Sequence, residues 1–486
     1  MSLGVANQAV LDDIELSSLE AAAEPAPATV TPLRPALDPR TRRLLEGPIA
    51  ATLLRLAWPN VAVMLAQAST GLIETWWVSR LGNDALTGMA LVFPGFMMMQ
   101  MLSGGAMGGG ISSAISRALG AGRRDDADAL VLHAIVINIA LGLAFSALVL
   151  CFGPALYRAL GGDGGSLAAA LRYSNVVFAG TALVWLMNAL ASVIRGTGNM
   201  MFPSAAVCLG VVLLVPLSPC LIFGIGPFPA LGMAGAGVAV ISTTALTTMV
   251  LGFYILSGRS VVRLRRSRLR QALFFDILRV GAVGAVNTFQ TTLTVILTTA
   301  LVGIAAGPDA IAGYGTGSRL EYLLVPLVFG LGAPLVALVG TNIGAGRRAR
   351  ALRVAITGAA IAFALTEAIG LAAAVWPQAW LSLFGSDPRM LATGTAYLHA
   401  VGPTYGFFGL GLSLYFASQG AGRLFWPLLA GLLRLVVAVG GGWLALYLGG
   451  SLGWVFVALG AALVLYGLTV AGAVGSGVWF TGKPAR

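Results

Sequence analysis

Two segments of this chain recur at one fixed distance, and this internal repeat constrains the fold more than any other feature. GAGRR at 120–124 returns at 344–348, and RGTGNMMFP at 195–203 has a counterpart, QGAGRLFWP, at 419–427. Both pairs are 224 residues apart. The same offset relates two single residues to their mates, Asp163 to Asp387 and Tyr173 to Tyr397. The chain therefore consists of two halves with the same internal organisation.

The composition places both halves in a membrane. Of the 486 residues, 58% are hydrophobic, 10% are charged and 65 are glycine, which excludes a soluble domain. Apolar stretches long enough to cross a hydrocarbon core of roughly 30 Å occur six times in each half. They run near 49–79, 85–116, 129–152, 168–193, 202–224, 232–257, 274–304, 310–341, 354–376, 390–417, 424–446 and 452–480. We therefore expect an all-α polytopic membrane protein of twelve transmembrane helices. Such a duplicated chain is typical of transporters, with the substrate path between the repeats.

The basic residues, nearly all arginines, indicate the orientation in the membrane. They cluster before the first apolar stretch and after the second, sixth and eighth, so an even number of crossings separates the clusters. Because loops rich in arginine stay on the cytoplasmic side, both termini are predicted to be cytoplasmic, in the cell inner membrane. The net charge of +11 thus reflects topology and contact with membrane lipids, with no indication of nucleic-acid binding. Six crossings per half relate the halves by a pseudo-two-fold axis along the membrane normal.

The same pattern divides the chain into four parts. Residues 1–47 are rich in Ala and Pro and lack an apolar core, which predicts a disordered cytoplasmic tail. An N-terminal six-helix lobe spans 48–257, a basic cytoplasmic linker spans 258–270, and a C-terminal six-helix lobe spans 271–482.

Glu74 is the strongest candidate for a functional residue. It precedes Gly82, where the first helix is expected to end, by eight residues, and so lies roughly 12 Å inside the hydrocarbon. An acid at this depth is costly and usually has a functional purpose. With Asn60, Gln67 and Gly71 it forms a polar stripe on one side of the helix, which predicts that this side lines a wet cavity. The alternative is a buried carboxyl that serves packing alone.

The second half has a polar stripe of its own, without the acid. Adding the offset to Gln67 and Glu74 leads to Thr291 and Thr298. These two are expected to line the cavity together with three neighbours on the seventh helix, Asn287, Gln290 and Thr294. A proton or cation site confined to the first half follows from this asymmetry.

Other polar residues in the membrane leave their roles open. On the eighth helix, Tyr314 is a candidate to line the cavity, while Glu321 either does the same or forms a structural ion pair. For Glu367 we expect a structural role or a position at the lipid-facing surface. The sequence does not identify the partners of the cations Arg319 and Arg434. The three cysteines and two histidines lack the spacing of a metal site or of a nucleophile with its base. No catalytic and no metal-binding residue is therefore predicted.

Nine short motifs, spread over residues 50–480, carry a resemblance to a known family. They are RLAWPNV at 55–61, GLIETWWVSRLG at 71–82, SRALGAGRR at 116–124, IRGTGNMMFP at 194–203, SPCLIFG at 218–224, LGMAGAGVA at 231–239, GTGSRLE at 315–321, GTNIGAGRR at 340–348 and ASQGAGRLFWP at 417–427. Together they resemble the multidrug and toxic compound extrusion (MATE) transporters, and within that family the DinF-like branch. The resemblance implies two six-helix lobes around a central cleft. It also implies export of drugs and metabolites driven by an inward H⁺ or Na⁺ gradient, without a further cofactor.

The resemblance carries over to the first-helix acid only in part. Glu74 stands where members of this branch usually have an aspartate that is tied to proton or cation coupling. In the fifth helix, where the family often shows an Asn and an Asp, this chain has Leu214 and Ser218. A Na⁺ site needs several converging oxygens, whereas a proton needs a single carboxyl. The departure therefore favours H⁺ over Na⁺ as the coupling ion.

These features together predict a secondary active transporter that acts as a monomer and exports lipophilic organic cations by antiport through alternating access. Three alternatives remain. A lipid-linked precursor flippase shares the architecture but favours a strongly cationic cavity. A major-facilitator transporter would have an Asp-Arg pair that is absent from LGAGRRDDAD at 119–128. A membrane-embedded enzyme would need clustered catalytic or metal-binding side chains.

Overall fold

A computed structural model of the chain describes residues 38–480, apart from the side chains of residues 308, 309 and 322. Residues 1–37, the greater part of the predicted disordered tail, lie outside the described residues. The described part of the first half forms helices α1 (Pro39–Glu46), α2 (Ile49–Ser79), α3 (Asn83–Gly120), α4 (Arg124–Ala159), α5 (Gly164–Ala179), α6 (Thr181–Gly196), α7 (Met201–Phe223) and α8 (Met233–Leu256). The second half forms α9 (Gln271–Gly307), α10 (Ala310–Gly344), α11 (Arg348–Val375), α12 (Pro377–Leu381), α13 (Pro388–Val401), α14 (Tyr405–Ala421), α15 (Phe425–Tyr447) and α16 (Leu452–Gly475).

The helices confirm the predicted all-α fold of twelve spans in two repeats. Within residues 38–480, ten single helices are long and apolar enough to cross a membrane, and α5 with α6 forms an eleventh span bent by 48°. Helices α13 and α14 occupy the corresponding place in the second half and complete its six spans. The repeat offset of 224 residues is visible in the helix starts, which pair Arg124 with Arg348, Gly164 with Pro388, Thr181 with Tyr405 and Met201 with Phe425.

The fourth and tenth spans differ from the continuous helices expected at 168–193 and 390–417, because both are broken. Gly180 separates α5 from α6, and a Cβ at this position would overlap the side chain of Ile241 on α8. A 3₁₀ turn, Gly402–Thr404, separates α13 from α14. It contains Pro403, which lacks an amide hydrogen and so cannot continue a helical hydrogen-bond ladder. In each half, therefore, the α-helix of the fourth crossing is interrupted near the same point of the repeat.

The two halves are joined at the end of the molecule that carries the arginine clusters, here called the basic end. The Ser113 hydroxyl of α3 donates a 2.5 Å hydrogen bond to the carbonyl oxygen of Gln419 on α14. Arg117, also on α3, donates to the carboxylate of Asp276 on α9 at 2.9 Å. Close approach of the backbones requires glycine, since a Cβ at Gly120 would overlap the carbonyl oxygen of Thr341 on α10. The basic end is thus tightly closed.

Helix α1 bridges both halves at the basic end. Leu44, 3% exposed, packs beside Gly198 of the first half, and Arg40 donates to the Tyr254 hydroxyl of α8 at 3.2 Å. From the second half, Asn342 donates to the Leu44 carbonyl at 3.2 Å and Arg347 to the Leu45 carbonyl at 2.8 Å. This helix differs from the disorder expected for residues 1–47, because burial of its two leucines and these bonds to its carbonyl oxygens hold it in place.

The basic segment between α8 and α9, expected as a linker at 258–270, is held along α4. Asp128 accepts the backbone N–H of Arg263 at 2.8 Å, and Asp126 accepts the guanidinium of Arg270 at 2.6 Å. His133 is completely buried, and its Nε2 accepts the backbone N–H of Arg270 at 2.9 Å. The Nδ1 of His133 lies 2.8 Å from the carbonyl oxygen of Ala129. The histidine therefore anchors the start of α9 to the first half.

Candidate functional site

Glu74 is a residue of α2, and its carboxyl group lies in the interface with α7. Its side chain is 5% exposed, and Ser218 of α7, which has no exposed surface, lies close enough to interact with its carboxyl group. Fourteen residues earlier on each helix, the Ser204 hydroxyl donates a 3.2 Å hydrogen bond to Oδ1 of Asn60. The Asn60–Ser204 contact precedes the Glu74–Ser218 contact along both helices, so α2 and α7 run parallel. The polar side chains of each helix face the other helix.

The carboxyl group of Glu74 has few polar neighbours. Among the described residues no donor forms a hydrogen bond with its Oε1, and the Ser218 hydroxyl likewise has no partner of standard geometry. Tyr173 of α5 is the other polar side chain that interacts electrostatically with the carboxyl. Buried carboxylates are normally paired with a cation or with several donors. Glu74 is therefore buried in a site that does not fully satisfy its charged form.

Aromatic rings cover this site on the side away from the basic end. Trp77, one turn after Glu74, packs edge-on against Phe223 with ring centroids 6.1 Å apart. Trp76 lies edge-on to Trp77 at 4.4 Å, and the guanidinium of Arg80 sits 4.3 Å above the Trp76 ring. These rings pack around the part of α2 that follows Glu74.

The remaining members of the first polar stripe lie in different surroundings. Asn60 is 6% exposed in the interface with α7, whereas Gln67 and Gly71 are exposed. The stripe predicted from helical periodicity thus contributes two side chains to a helix interface and two positions to the surface of α2.

The second half brings four of its predicted residues together. Asn287, Gln290, Thr291 and Thr294 of α9 line one cavity. Three residues that the sequence did not indicate as lining complete it: Gly431, Arg434 and Tyr466. Thr298, the repeat mate of Glu74, is 1% exposed beyond this cavity and donates to the carbonyl oxygen of Thr294 at 2.7 Å. Tyr466 carries no signal in the sequence, since its repeat mate is Ser242.

Arg434 lies against two aromatic rings. Its guanidinium carbon is 5.7 Å from the ring centre of Phe408 and 5.8 Å from that of Tyr466. Among the described residues no carboxylate forms an ion pair with it. The other membrane cation, Arg319, stacks in a similar way over Phe384 at 5.4 Å.

Glu321 has a hydroxyl partner. Its Oε1 accepts a 2.8 Å hydrogen bond from Tyr397, whose hydroxyl lies 3.2 Å from that of Tyr405. Tyr314 packs edge-on against Tyr397 with ring centroids 5.3 Å apart. No ion pair to Glu321 is found in the described part of the protein. Its carboxylate is bound instead by the Tyr397 hydroxyl, which in turn contacts Tyr405. Tyr397 is the repeat mate of Tyr173, so each half sets this tyrosine beside an acid.

Glu367 has a structural environment. Its Oε2 accepts the backbone N–H of Gly406 at 2.6 Å, in the first turn of α14. The carboxylate therefore satisfies one of the free amides that follow the break in the tenth span.

The chain is similar to a family of membrane proteins over most of its length. The family model MatE matches residues 59–220 and again residues 283–444, two segments that start 224 residues apart. Among curated relatives, a FAD transporter of Shewanella oneidensis is 26% identical over 403 residues, spanning 81% of this chain and 87% of that protein. A probable multidrug resistance protein NorM of Deinococcus radiodurans is 28% identical, spanning 86% of this chain and 94% of that protein.

Solved structures share the fold. A MATE protein crystallised in a bent conformation has a TM-score of 0.82 at 23% identity, covering 91% of this chain and 98% of its own. A MOP superfamily transporter from Pyrococcus furiosus also has a TM-score of 0.82, at 22% identity, with coverage of 91% and 99%. At these identities the likeness concerns the arrangement of the helices.

Proposed function

Because this chain belongs to the MatE family of transporters, we propose that it exports organic compounds carrying a cationic group in exchange for H⁺, with Glu74 as the coupling carboxyl. Membership of the family makes the chain a multi-pass membrane transporter that works by alternating access, and not an enzyme. The identity of the coupling ion, the character of the substrate and the role of Glu74 are the parts that belong to the proposal. Assignment to the DinF-like branch also stays a prediction.

The surroundings of Glu74 are the observation that carries the proposal. Its carboxyl is buried inside a membrane-spanning helix and lies beside two hydroxyl-bearing residues, Ser218 and Tyr173, with no donor on Oε1 among the described residues. A charged carboxylate in such a place costs free energy, which either a proton or a cationic group of a substrate offsets. Proton and substrate then compete for one site, as antiport requires.

The same surroundings favour H⁺ over Na⁺. A Na⁺ site needs several converging oxygen ligands, and the family position that often supplies a second carboxylate is Ser218 here. Within residues 38–480, no group of three or more His, Cys, Asp or Glu side chains is placed to hold a metal ion. A single carboxyl supports proton exchange without any further ligand, and no cofactor is required.

The contacts between the halves support an assignment of the conformational state. The hydrogen bonds and the ion pair that join α3 to α9 and α14 lie at the basic end. If the arginine clusters are cytoplasmic, as their distribution favours, this conformation is closed to the cytoplasm and both termini lie inside. We assign it to the outward-facing state of a monomeric transporter in the inner membrane, surrounded by lipids.

The proposed cycle follows from these assignments. In the outward-facing state a proton from outside reaches Glu74, neutralises it and releases the cationic group of the substrate. The neutral side chain then allows α2 and α7 to repack while the contacts at the basic end separate. In the inward-facing state the proton leaves to the cytoplasm, and the ionised carboxylate binds the next substrate. A group can shift the equilibrium between two conformations only if its free energy differs between them. The proposal therefore requires that the hydration of Glu74 differ between the two states.

The test is export from proteoliposomes in which a pH gradient and a Na⁺ gradient are imposed separately. Wild-type protein should export under the pH gradient alone, and Glu74→Gln should reduce export to the background of empty vesicles while it still folds. Glu367→Gln is the matched control, since this membrane acid accepts a hydrogen bond from a backbone amide, and it should retain export. Export that follows only the Na⁺ gradient, or that persists in Glu74→Gln, would contradict the proposal.

A further inference from the structure

The geometry points to an oxyanion-binding site in the second half: the cavity formed by Asn287, Gln290, Thr294, Gly431, Arg434 and Tyr466, here called the oxyanion site, takes a carboxylate or phosphate group of the exported compound. The inference rests on the proposed function only in that the ligand is the compound being exported. It adds to that function a substrate class, namely solutes that carry an acidic group together with a basic one.

The position of Arg434 is the first observation. It is the tenth of the 23 residues of α15, so it lies roughly 14 Å from the start of this helix and deep in the membrane. An arginine at such a depth is expensive and is normally paired with an acid or a backbone carbonyl. The rings of Phe408 and Tyr466 attract the cation through their faces, but neither residue forms a hydrogen bond with the guanidinium. Within the described residues, nothing accepts a hydrogen bond from its guanidinium.

Gln290 gives a second, independent observation. Both its Nε2 and its Oε1 are buried, and neither has a hydrogen-bond partner among the described residues. Buried amides in folded proteins are almost always bonded, and an exception requires an explanation. Gln290 lines the same cavity as Arg434, so one bound group can accept from both its amide and the guanidinium.

Gly431 makes room for these polar groups. A Cβ at this position would lie 3.1 Å from Oε1 of Gln290 and 3.3 Å from Oδ1 of Asn287. A side chain on α15 would therefore press on both amides, whereas glycine leaves them free to face the cavity.

The donors that remain available select an anion. The hydroxyls of Thr291 and Thr294 already donate to carbonyl oxygens of their own helix at 2.9 Å each. Arg434 is the one charged residue among those that line the cavity, and its guanidinium would repel a cation. The planar fork of arginine matches the two oxygens of a carboxylate or phosphate.

Glu74 and Arg434 carry opposite charges, and each occurs in one half alone. The repeat mate of Glu74 is Thr298, and the repeat mate of Arg434 is Gly210, so neither charge is duplicated. A solute with a basic and an acidic group finds the acid in the first half and the cation in the second. This arrangement favours amphoteric compounds over simple cations.

The test uses two dyes that differ only in the acidic group. Rhodamine B carries a cationic ring system and a free benzoate, and its methyl ester lacks the anion. Binding is measured by fluorescence anisotropy with purified full-length protein in a neutral detergent, at constant pH and with no gradient. Wild-type protein should bind the acid about tenfold tighter than the ester, as one charge-assisted hydrogen bond predicts. Arg434→Gln should lose this preference and keep its affinity for the ester, and Gln290→Leu should reduce the preference several-fold.

Arg319→Gln is the matched control, because Arg319 also stacks on a ring but lines no part of the oxyanion site, and it should keep the wild-type preference. Equal affinity of wild-type protein for both dyes would overturn the proposal. So would an Arg434→Gln variant that binds both dyes more weakly by the same factor, since that result assigns Arg434 a structural role.

A second arm separates a solute from a lipid headgroup as the source of the oxyanion. The preference for the acid should be equal in nanodiscs of phosphatidylcholine and of phosphatidylglycerol. If it disappears only with phosphatidylglycerol, the headgroup occupies the site and the solute assignment falls. No proton gradient enters this measurement and Glu74 stays intact, so failure of the oxyanion site and failure of proton coupling are distinguishable.

Discussion

Arg117 of the first half donates to Asp276 of the second at 2.9 Å, and the same carboxylate oxygen accepts from Arg279 at 2.8 Å. The side chain of Arg117 is 10% exposed, so this ion pair is shielded from water far more than the arginine pairs on the surface. It joins α3 to α9 at the basic end, which has to separate for the transporter to face the other way.

We expect Asp276→Asn to favour separation of the basic end, because removal of one partner leaves Arg117 buried without its counter-charge. The measurement is labelling of Ser116→Cys by a maleimide in a background free of native cysteines, since Ser116 is completely buried in this conformation. The labelling rate should rise several-fold in Asp276→Asn. Asp126→Asn, which removes ion pairs with the exposed arginines Arg123 and Arg270, should leave it unchanged. Equal labelling in both variants would show that the ion pair does not hold the end closed.

Substrate affinity should fall as the pH is lowered, because a proton on Glu74 removes the charge that binds the cationic group. The dependence is measured by equilibrium binding of the methyl ester of rhodamine B in detergent. It should be absent in Glu74→Gln, which cannot ionise, and present in Glu74→Asp, which should also support export. A wild-type affinity that is independent of pH would rule out direct competition between proton and substrate.

Ser218→Asp should introduce a response to Na⁺. The change places a second carboxylate beside Glu74, at a family position that often carries one, and raises the number of oxygens that converge on one point. Purified Ser218→Asp protein should melt at a higher temperature in NaCl than in choline chloride at equal ionic strength. The wild-type protein should show no such difference. A melting temperature that depends on Na⁺ in the wild type would instead place a Na⁺ site in the unmodified chain.

Gly120→Ala tests whether close packing keeps the basic end shut. The added Cβ would overlap the carbonyl oxygen of Thr341, a backbone atom that cannot turn away. Overpacking of this kind costs about 1–3 kcal/mol, and here the cost falls on the closed state alone. Labelling of Ser116→Cys should therefore increase. Gly71→Ala is the matched control, since a Cβ at Gly71 meets no atom within 4 Å. An unchanged labelling rate in Gly120→Ala would mean that the helices adjust without separating.

The docking of α1 should depend on pH through Glu46. A hydrogen bond from Arg42 lowers the pKa of the Glu46 carboxyl, so this interaction stabilises α1 at a pH above the ordinary glutamate value of about 4.3. The stabilisation is lost as the pH falls through the lowered pKa, because the protonated acid no longer attracts the guanidinium. Amide hydrogen exchange of residues 39–46 should be faster in Glu46→Gln than in wild type at neutral pH. The difference should vanish once the pH is below the lowered pKa of Glu46, and a difference that persists in acid would exclude the ion pair as its cause.

Much of this architecture is predictable from the sequence, because it depends on local pattern. The length of the apolar stretches and the recurrence of GAGRR determine the number and pairing of the spans, and an acid within an apolar helix identifies Glu74. The partners of Glu321 and Arg434 are not predictable in this way. Tyr397 lies 76 residues from Glu321 and reaches it only through the packing of α10 against α13. The breaks at Gly180 and Pro403 are not predictable from hydrophobicity, because the apolar sequence continues through both.

Helix α1 has a further consequence, for the order in which the molecule is assembled. The Leu44 carbonyl is bonded by Asn342, 298 residues later in the chain, and the neighbouring carbonyl is bonded by Arg347. Eight of the twelve spans must therefore be synthesised before the residues that bind the carbonyl groups of α1 exist. Although α1 is the first described helix to be synthesised, it can form these hydrogen bonds only after the second half has begun to insert. Docking of α1 at the basic end is thus a late step of biogenesis, which can occur only after the two halves have packed together.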